Sequence, residues 1–192
     1  HYQEALRQTP DQPELYYRLG NALLDMGRYQ DAYGAFQRAI ALKPDYADAY
    51  TNLGFTLRKL GNLKAAAGAY INALDIQPDD TTTLNNLVVV SQLLEDWDRT
   101  LWCFERLVAL APEDNAALEG YADLLYGLDR PVEALGHYQT LVERNVDTAR
   151  NLFQAGLCYF DLGRFADAAS TWVRARDLDP ENESIHRNLP VA

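Results

Sequence analysis

Prolines recur along this 192-residue chain at a spacing of 34 residues. They are Pro10, Pro44, Pro78 and Pro112, with Pro180 two intervals further on. Val146 stands at the one position in this series that is not proline. A period of this length is typical of repeat proteins, in which each repeat is one supersecondary element packed only against its neighbours.

The period divides the chain into five repeats. They span residues 13–46, 47–80, 81–114, 115–148 and 149–182. We expect residues 1–12 to form the second helix of a truncated preceding repeat, and residues 183–192 to begin a capping helix. Within a repeat the apolar spacing is helical, as in Leu19 to Leu23 and Phe36 to Ile40, and Gly27 separates the two runs. The pattern predicts two antiparallel helices per repeat and an all-α chain.

The residues at these positions resemble those of the tetratricopeptide repeat. In the first repeat they are Tyr16, Leu19, Gly20, Tyr29, Ala32, Phe36, Ala39 and Pro44. The resemblance covers almost the whole chain. It implies a right-handed α-solenoid of antiparallel helix pairs whose first helices line a concave groove. Small residues at Gly20, Gly54 and Gly156 face the second helix, where we expect them to allow the two backbones to approach closely.

The third and fourth repeats diverge from the others at positions that are small elsewhere. The larger residues are Val88, Glu95, Thr100, Leu107, Ala122, Asp129 and Leu141. Because added bulk displaces packed helices, we predict an altered angle between helix pairs around residues 81–148. The alternative is sequence drift absorbed by local repacking.

Trp102 occupies a position that is small in every other repeat, with Gly34, Gly68, Gly136 and Ser170 as its counterparts. In the family this side of the second helix faces outward. The tryptophan therefore either folds over the enlarged positions of its own repeat or projects to contact a partner or a second copy. The glycines indicate either close approach of another backbone or simple tolerance.

Composition limits the partners. There are 17 basic and 28 acidic side chains, a net charge of −11, which opposes binding to nucleic acid and to anionic membrane surfaces. Apolar runs are far shorter than the roughly 18 residues of a membrane span, so we expect no membrane insertion and a soluble protein. The compartment is not fixed, with the cytoplasm favoured over the periplasm. Cys103 and Cys158 lie in apolar helical patterns and are expected to act as small hydrophobic residues.

The sequence contains no motif for catalysis, a metal or a cofactor. Metalloprotease, dinucleotide-binding, phosphate-loop and serine-hydrolase motifs do not occur in it. His1, His137 and His186 belong to separate segments of the chain. We therefore expect no enzyme activity, no cofactor and no metal site.

The groove implied by the family resemblance gives the candidate binding residues. They are Tyr17, Asn21, Asn52, Phe55, Asn86, Val89, Asp123, Tyr126, Phe153 and Phe160, with Trp102 as a possible outer contact. Asparagine both donates to and accepts from a peptide backbone. The family's carboxylate clamp for chaperone tails pairs two asparagines with three cations. Here Asn21 and Asn52 match, but Tyr17, Thr82 and Asn86 replace the cations, so we do not expect that function.

The predicted function is a protein-interaction scaffold that holds a peptide or protein segment in the groove. Two alternatives remain open at this stage. The chain could assemble with copies of itself, or it could be the targeting arm of a larger protein such as a glycosyltransferase.

Overall fold

A computed structural model describes residues 11–181 and 183–188, and the described residues form helices and turns without a strand. The helices are α1 Pro13–Asp25, α2 Tyr29–Leu42, α3 Ala47–Lys59, α4 Leu63–Ile76, α5 Thr81–Leu93, α6 Trp97–Leu110, α7 Asn115–Gly127, α8 Pro131–Glu143, α9 Thr148–Asp161, α10 Phe165–Leu178 and α11 Glu183–Asn188. The all-α prediction is confirmed. The predicted helix within residues 1–12 falls mostly outside the described residues, as do residues 189–192 of the predicted cap.

The chain divides into an N-terminal unit, residues 1–106, and a C-terminal unit, residues 107–192. In the N-terminal unit α1 packs on α2 and α3 on α4, while α2 packs on α3 and α4 on α5. In the C-terminal unit the same order holds for α7 to α10, and α11 packs on α10. Each unit is thus a stack of helix pairs.

A left-handed residue ends the turn inside each pair. Gly27, Gly61 and Gly163 have φ of 70°, 79° and 71°, and Glu95 and Asp129 take 56° and 58° at the same position of their repeats. The larger residues therefore keep the glycine conformation, at a strain of roughly 1–2 kcal/mol each. The predicted change of angle around residues 81–148 stays a prediction.

The glycines of the first helices lie under an aromatic ring. A Cβ on Gly20 would lie 2.5 Å from Cε1 of Phe36, and Gly156 lies under Trp172 in the same way. These glycines face the second helix as expected, and the aromatic ring that this helix carries leaves no room for a side chain. Ala32 is fully buried nearby.

Several enlarged positions of the third and fourth repeats lie in the core. Leu107 and Leu141 are buried, and so is Val88. Thr100 is also fully buried, and its hydroxyl donates to the Asp96 carbonyl oxygen at 2.8 Å. The hydroxyl that Thr100 adds is therefore satisfied within its own repeat.

The turn at the missing proline has its own geometry. Asn145 and Asp147 have φ of 57° and 33°, and the Val146 amide donates to the Leu141 carbonyl oxygen at 3.0 Å. The buried Asn151 side chain donates to the Val146 carbonyl oxygen at 2.8 Å. Helix α9 consequently begins at residue 148, one residue before the predicted repeat boundary.

The glycines in the position of Trp102 lie open within the described chain. A Cβ on Gly34, Gly68 or Gly136 would meet nothing within 4 Å. No other backbone of the described chain therefore approaches them closely.

The cysteines behave as predicted. Cys103 and Cys158 are fully buried and free, and burial raises the pKa of both thiols to about 12. A thiol that stays protonated over the physiological range is a poor nucleophile and metal ligand, so both residues serve packing.

Candidate partner-binding site

In the N-terminal unit, three of the predicted residues meet across neighbouring first helices. The Asn52 amide nitrogen on α3 donates to Oδ1 of Asn21 at 2.7 Å and to the Tyr17 hydroxyl at 3.3 Å, both on α1. The Tyr17 ring packs on Phe36 and Tyr46, at 6.0 and 5.0 Å between centroids. The amide cluster Tyr17–Asn21–Asn52 is therefore held in one orientation.

This arrangement leaves hydrogen-bonding groups free on the same face. The two Nδ2 hydrogens of Asn52 are engaged, and its Oδ1 is not. On α5, Asn86 is partly exposed and its side chain bonds to no other part of the described chain. The neighbouring Asn85 differs, because it donates to the carbonyl oxygen of Thr81 at 2.9 Å. Oδ1 of Asn52 and the Asn86 amide can thus serve a ligand.

Phe55 is flanked by two cations of its own helix. The Arg58 guanidinium lies 5.1 Å from the ring centroid and the Lys59 ammonium 5.4 Å. The sequence analysis did not identify this contact, although spacings of three and four residues on a helix place side chains together. Val89 is 40% exposed on α5.

In the C-terminal unit, a charged network joins α7 to α9. Arg150 contacts Glu119, and its Nη2 donates to Oδ2 of Asp123 at 2.7 Å. The Tyr138 hydroxyl donates to the other oxygen of Asp123 at 2.7 Å, and burial together with this bond raises the pKa of Tyr138. The sequence analysis identified Asp123 but not Arg150. Arg150 lies two repeats after Thr82 at the equivalent position, where the carboxylate clamp of the family has a cation.

Tyr126 closes a second link between the same helices. Its hydroxyl donates to Oδ2 of Asp161 at 2.8 Å. Burial, followed by the bond to this carboxylate, raises the pKa of Tyr126, so the phenol stays protonated as a donor.

The remaining predicted residues of this unit belong to an aromatic cluster formed by Phe153, Phe160, Phe165 and Trp172. Centroid distances are 6.5 Å from Phe153 to Trp172, 5.9 Å from Trp172 to Phe160 and 5.3 Å from Phe160 to Phe165. Trp172 is buried and donates from Nε1 to the Phe153 carbonyl oxygen at 3.1 Å. Phe160 and Phe165 are 50% and 61% exposed. Phe165 was not among the predicted site residues.

Trp102 on α6 is partly exposed. The residue is 44% exposed and borders a cavity of about 380 Å³. The other lining residues are Ile71, Leu74, Asp75, Pro78 and Arg106. Three of these residues belong to α4 of the preceding repeat, so Trp102 lies beside that helix and projects in part.

Two negative observations apply to the described residues. They contain no group of three or more His, Cys, Asp or Glu side chains placed to hold a metal ion. Of the helices between residues 11 and 188, none combines the length and apolarity needed to cross a membrane.

Helix pairs at a 34-residue period, with amide and aromatic side chains on the first helices, define a helical-repeat protein-interaction scaffold. Family models described as "TPR repeat" match residues 1–27 and 20–61, and models described as "Tetratricopeptide repeat" match residues 47–80, 94–149 and 126–183. The chain belongs to the tetratricopeptide-repeat family.

One curated relative is the Hsp70-Hsp90 organizing protein of Triticum aestivum, 34% identical over 89 residues. That match covers 46% of this chain and 15% of the wheat protein, so the chain corresponds to a small part of this relative.

Solved structures share the fold. YrrB, described as a TPR protein with an unusual peptide-binding site, has a TM-score of 0.80 at 20% identity, covering 97% of this chain and 96% of YrrB. PilF of Pseudomonas aeruginosa has a TM-score of 0.65 at 20% identity, covering 97% of this chain and 85% of that one. MamA from Desulfovibrio magneticus RS-1 has a TM-score of 0.68 at 16% identity, covering 89% and 97%. These likenesses establish the solenoid fold class.

Proposed function

We propose that the chain binds a peptide or protein segment on the first-helix face, in the groove that the family fold provides. The observation that carries the proposal is a pair of asparagines on neighbouring first helices that keep hydrogen-bonding atoms free. Asn52 is fixed by Tyr17 and Asn21 with its Oδ1 free, and Asn86 on the next helix is wholly unpaired among the described residues.

Such a pair suits an extended backbone. A peptide presents donors and acceptors along its length, and a preset amide satisfies them without losing side-chain entropy on binding. Phe55 and Val89 add apolar surface beside the amides for the peptide's side chains. The printed description of YrrB assigns a peptide-binding site to another protein of this fold.

The proposed ligand differs from a chaperone tail. The wheat relative is named for organising Hsp70 and Hsp90. In this chain Tyr17, Thr82 and Asn86 replace the cations that a carboxylate clamp requires, and Asn52 and Asn21 bond to each other. A terminal carboxylate would have no ion-pair partner there.

The experiment uses an immobilised panel of random 12-residue peptides and the full 192-residue chain. For a peptide that binds, Asn86→Ala is expected to weaken affinity about 5- to 10-fold, the usual effect of losing one hydrogen bond to a ligand. Phe55→Ala should also weaken binding. Asn85→Ala is the matched control, because Asn85 bonds to its own helix. The proposal fails if Asn85→Ala and Asn86→Ala behave alike, or if thermal unfolding falls in step with affinity.

Self-association is a second candidate, favoured by the half-exposed Trp102 beside its cavity. A tryptophan at the edge of an apolar depression is a common anchor in protein interfaces. Sedimentation velocity over a concentration series should then show association that Trp102→Ala abolishes. A monomer at every concentration would rule this candidate out.

A further inference from the structure

Two cations of α3 have no anionic partner among the described residues. The Arg58 guanidinium lies 5.1 Å from the Phe55 ring centroid, and the Lys59 ammonium lies 5.4 Å from it. Neither cation forms an ion pair with a carboxylate of the described chain. The ring therefore holds two positive charges that the chain around them does not neutralise.

Arg58 is partly withdrawn from water. The residue is partly buried, and its Nε is buried without a hydrogen-bond partner among the described residues. The buried Tyr70 hydroxyl lies near the guanidinium, also without hydrogen-bond geometry. Because an ion pair is stronger in surroundings of lower dielectric constant, a carboxylate at the terminal nitrogens of Arg58 is held more firmly than at a fully solvated arginine.

The fourth repeat provides an internal comparison, because there the chain itself supplies a carboxylate. The Tyr138 hydroxyl and the Arg150 guanidinium both donate to Asp123. Tyr70 is the counterpart of Tyr138 and Phe55 is the counterpart of Asp123, each 68 residues earlier. The second repeat thus places an arginine near the tyrosine but has no carboxylate at this position. An anion for that arginine has to come from elsewhere.

Phe55 and its two cations lie next to the proposed peptide-binding amide of Asn52. Asn52, Phe55 and Lys59 follow one another at spacings of three and four residues, which places them in a row along α3. Residue 55 stands about 4.5 Å further along the helix axis than residue 52. A segment whose backbone bonds to Asn52 can therefore lay one side chain over Phe55 and bring a carboxylate to both cations.

The neighbouring first helices offer few charges that compete. Helix α5 carries no charged residue between Thr81 and Leu93. On α1, Asp25 occupies the position equivalent to Lys59 and forms no ion pair with it. The net charge of −11 repels an acidic segment at long range, but salt screens this repulsion beyond roughly 10 Å. At contact distance the two cations therefore determine which charge is preferred.

We propose that Arg58 and Lys59 bind the carboxylate of an aspartate or glutamate side chain in the bound segment, while Phe55 packs on the methylene groups of that side chain. This inference rests on the proposed function, which it narrows to segments that carry an acidic residue. All of its residues lie in the N-terminal unit. The site differs from the carboxylate clamp of the family, whose cations belong at residues 17, 82 and 86.

The test takes one peptide from the random panel whose affinity falls in Asn86→Ala but not in Asn85→Ala. The peptide is made with blocked ends, and each position in turn is replaced by glutamate or by glutamine, which keeps the shape and removes the charge. Isothermal titration calorimetry with the full chain should give about 5-fold tighter binding for glutamate than for glutamine at one position, the size expected of a partly exposed ion pair. Lysine at that position should bind most weakly.

Two variants and a control assign the effect to this site. Lys59→Gln and Arg58→Gln should each lower the preference for glutamate to about 2-fold, and the double variant should abolish it. Lys59 is exposed, so Lys59→Gln tests the site even where Arg58→Gln disturbs the packing around Tyr70. Lys64→Gln is the matched control, because it removes the same charge from α4, the second helix of the same pair. It should leave the preference unchanged.

Three results would overturn the inference. Equal affinity for the glutamate and glutamine peptides at every position would remove the anion site while the effect of Asn86→Ala leaves peptide binding intact. An equal loss of the preference in Lys64→Gln and Lys59→Gln would show that net charge alone acts. A panel in which no peptide depends on Asn86 would overturn the proposed function along with the inference.

Discussion

A Cβ atom on Gly54 would lie 2.6 Å from Cε1 of the Tyr70 ring. The ring is fully buried and belongs to the second helix of the same pair. At this distance the added carbon cannot be accommodated unless the ring or a helix moves. The glycine is therefore required by its neighbour's side chain, whereas Gly68 on the outer side of α4 has nothing within 4 Å of its Cβ position.

Gly54→Ala is accordingly expected to destabilise the protein and Gly68→Ala to stabilise it. Replacing a helical glycine by alanine raises the free energy of unfolding by up to about 1 kcal/mol, and at residue 68 no steric cost opposes this increase. At residue 54 it is outweighed by overpacking of roughly 1–3 kcal/mol. Urea unfolding followed by circular dichroism should shift the two midpoints in opposite directions. Equal shifts would show that the ring moves aside at little cost.

The left-handed turn residues give a second prediction. Glu95 and Asp129 have φ of 56° and 58°, and the equivalent residues of the first, second and fifth repeats are glycines. Glu95→Gly should raise the free energy of unfolding by about 0.5–1 kcal/mol, because relief of strain exceeds the entropy that glycine adds to the unfolded chain. Gln92→Gly, in the preceding helix, is the control and should cost about 1 kcal/mol. Loss of stability in both variants would contradict the assigned strain.

These cases show what the sequence could predict. The 34-residue period and the apolar spacing were enough to predict the helix pairs, because each repeat buries side chains at the same positions. Arg150 and Phe165 were missed for a physical reason. Their roles depend on which neighbour each long or exposed side chain meets, and Arg150 meets Glu119 and Asp123 some 30 residues away. Comparing equivalent positions of the repeats detects shared burial but does not detect such pairings.

Tyr70 and Tyr138 occupy the same column and provide a third prediction. The Tyr138 hydroxyl donates to Asp123 at 2.7 Å. The Tyr70 hydroxyl lies near the Arg58 guanidinium without hydrogen-bond geometry, and burial raises its pKa to about 12 although the charge and hydrogen-bonding groups of Arg58 lower it. Tyr138→Phe should therefore cost about 1–2 kcal/mol, and Tyr70→Phe should cost less. Chemical unfolding of both variants measures the difference, and a larger cost at residue 70 would contradict the assignment.

His137 predicts a pH dependence of stability. It is partly buried against the Tyr121 ring, at 4.9 Å between centroids, and burial lowers its pKa from about 6.5, with Glu133 opposing the shift. The folded state thus binds a proton less readily than the unfolded state. The stability linked to the neutral imidazole is complete above about pH 6.5. It is lost as the pH falls through the lowered pKa, and the free energy of unfolding then decreases by no more than about 1.4 kcal/mol per pH unit.

Replacing His137 by glutamine should remove this part of the pH dependence. Free energies of unfolding measured from pH 7.5 down to pH 5.5 should fall more steeply for the original protein than for His137→Gln. The window ends above the range where most carboxylates titrate, and the other two histidines are common to both proteins, so the difference between the curves belongs to residue 137. If the two curves run parallel, burial does not disfavour the charged imidazole at this site.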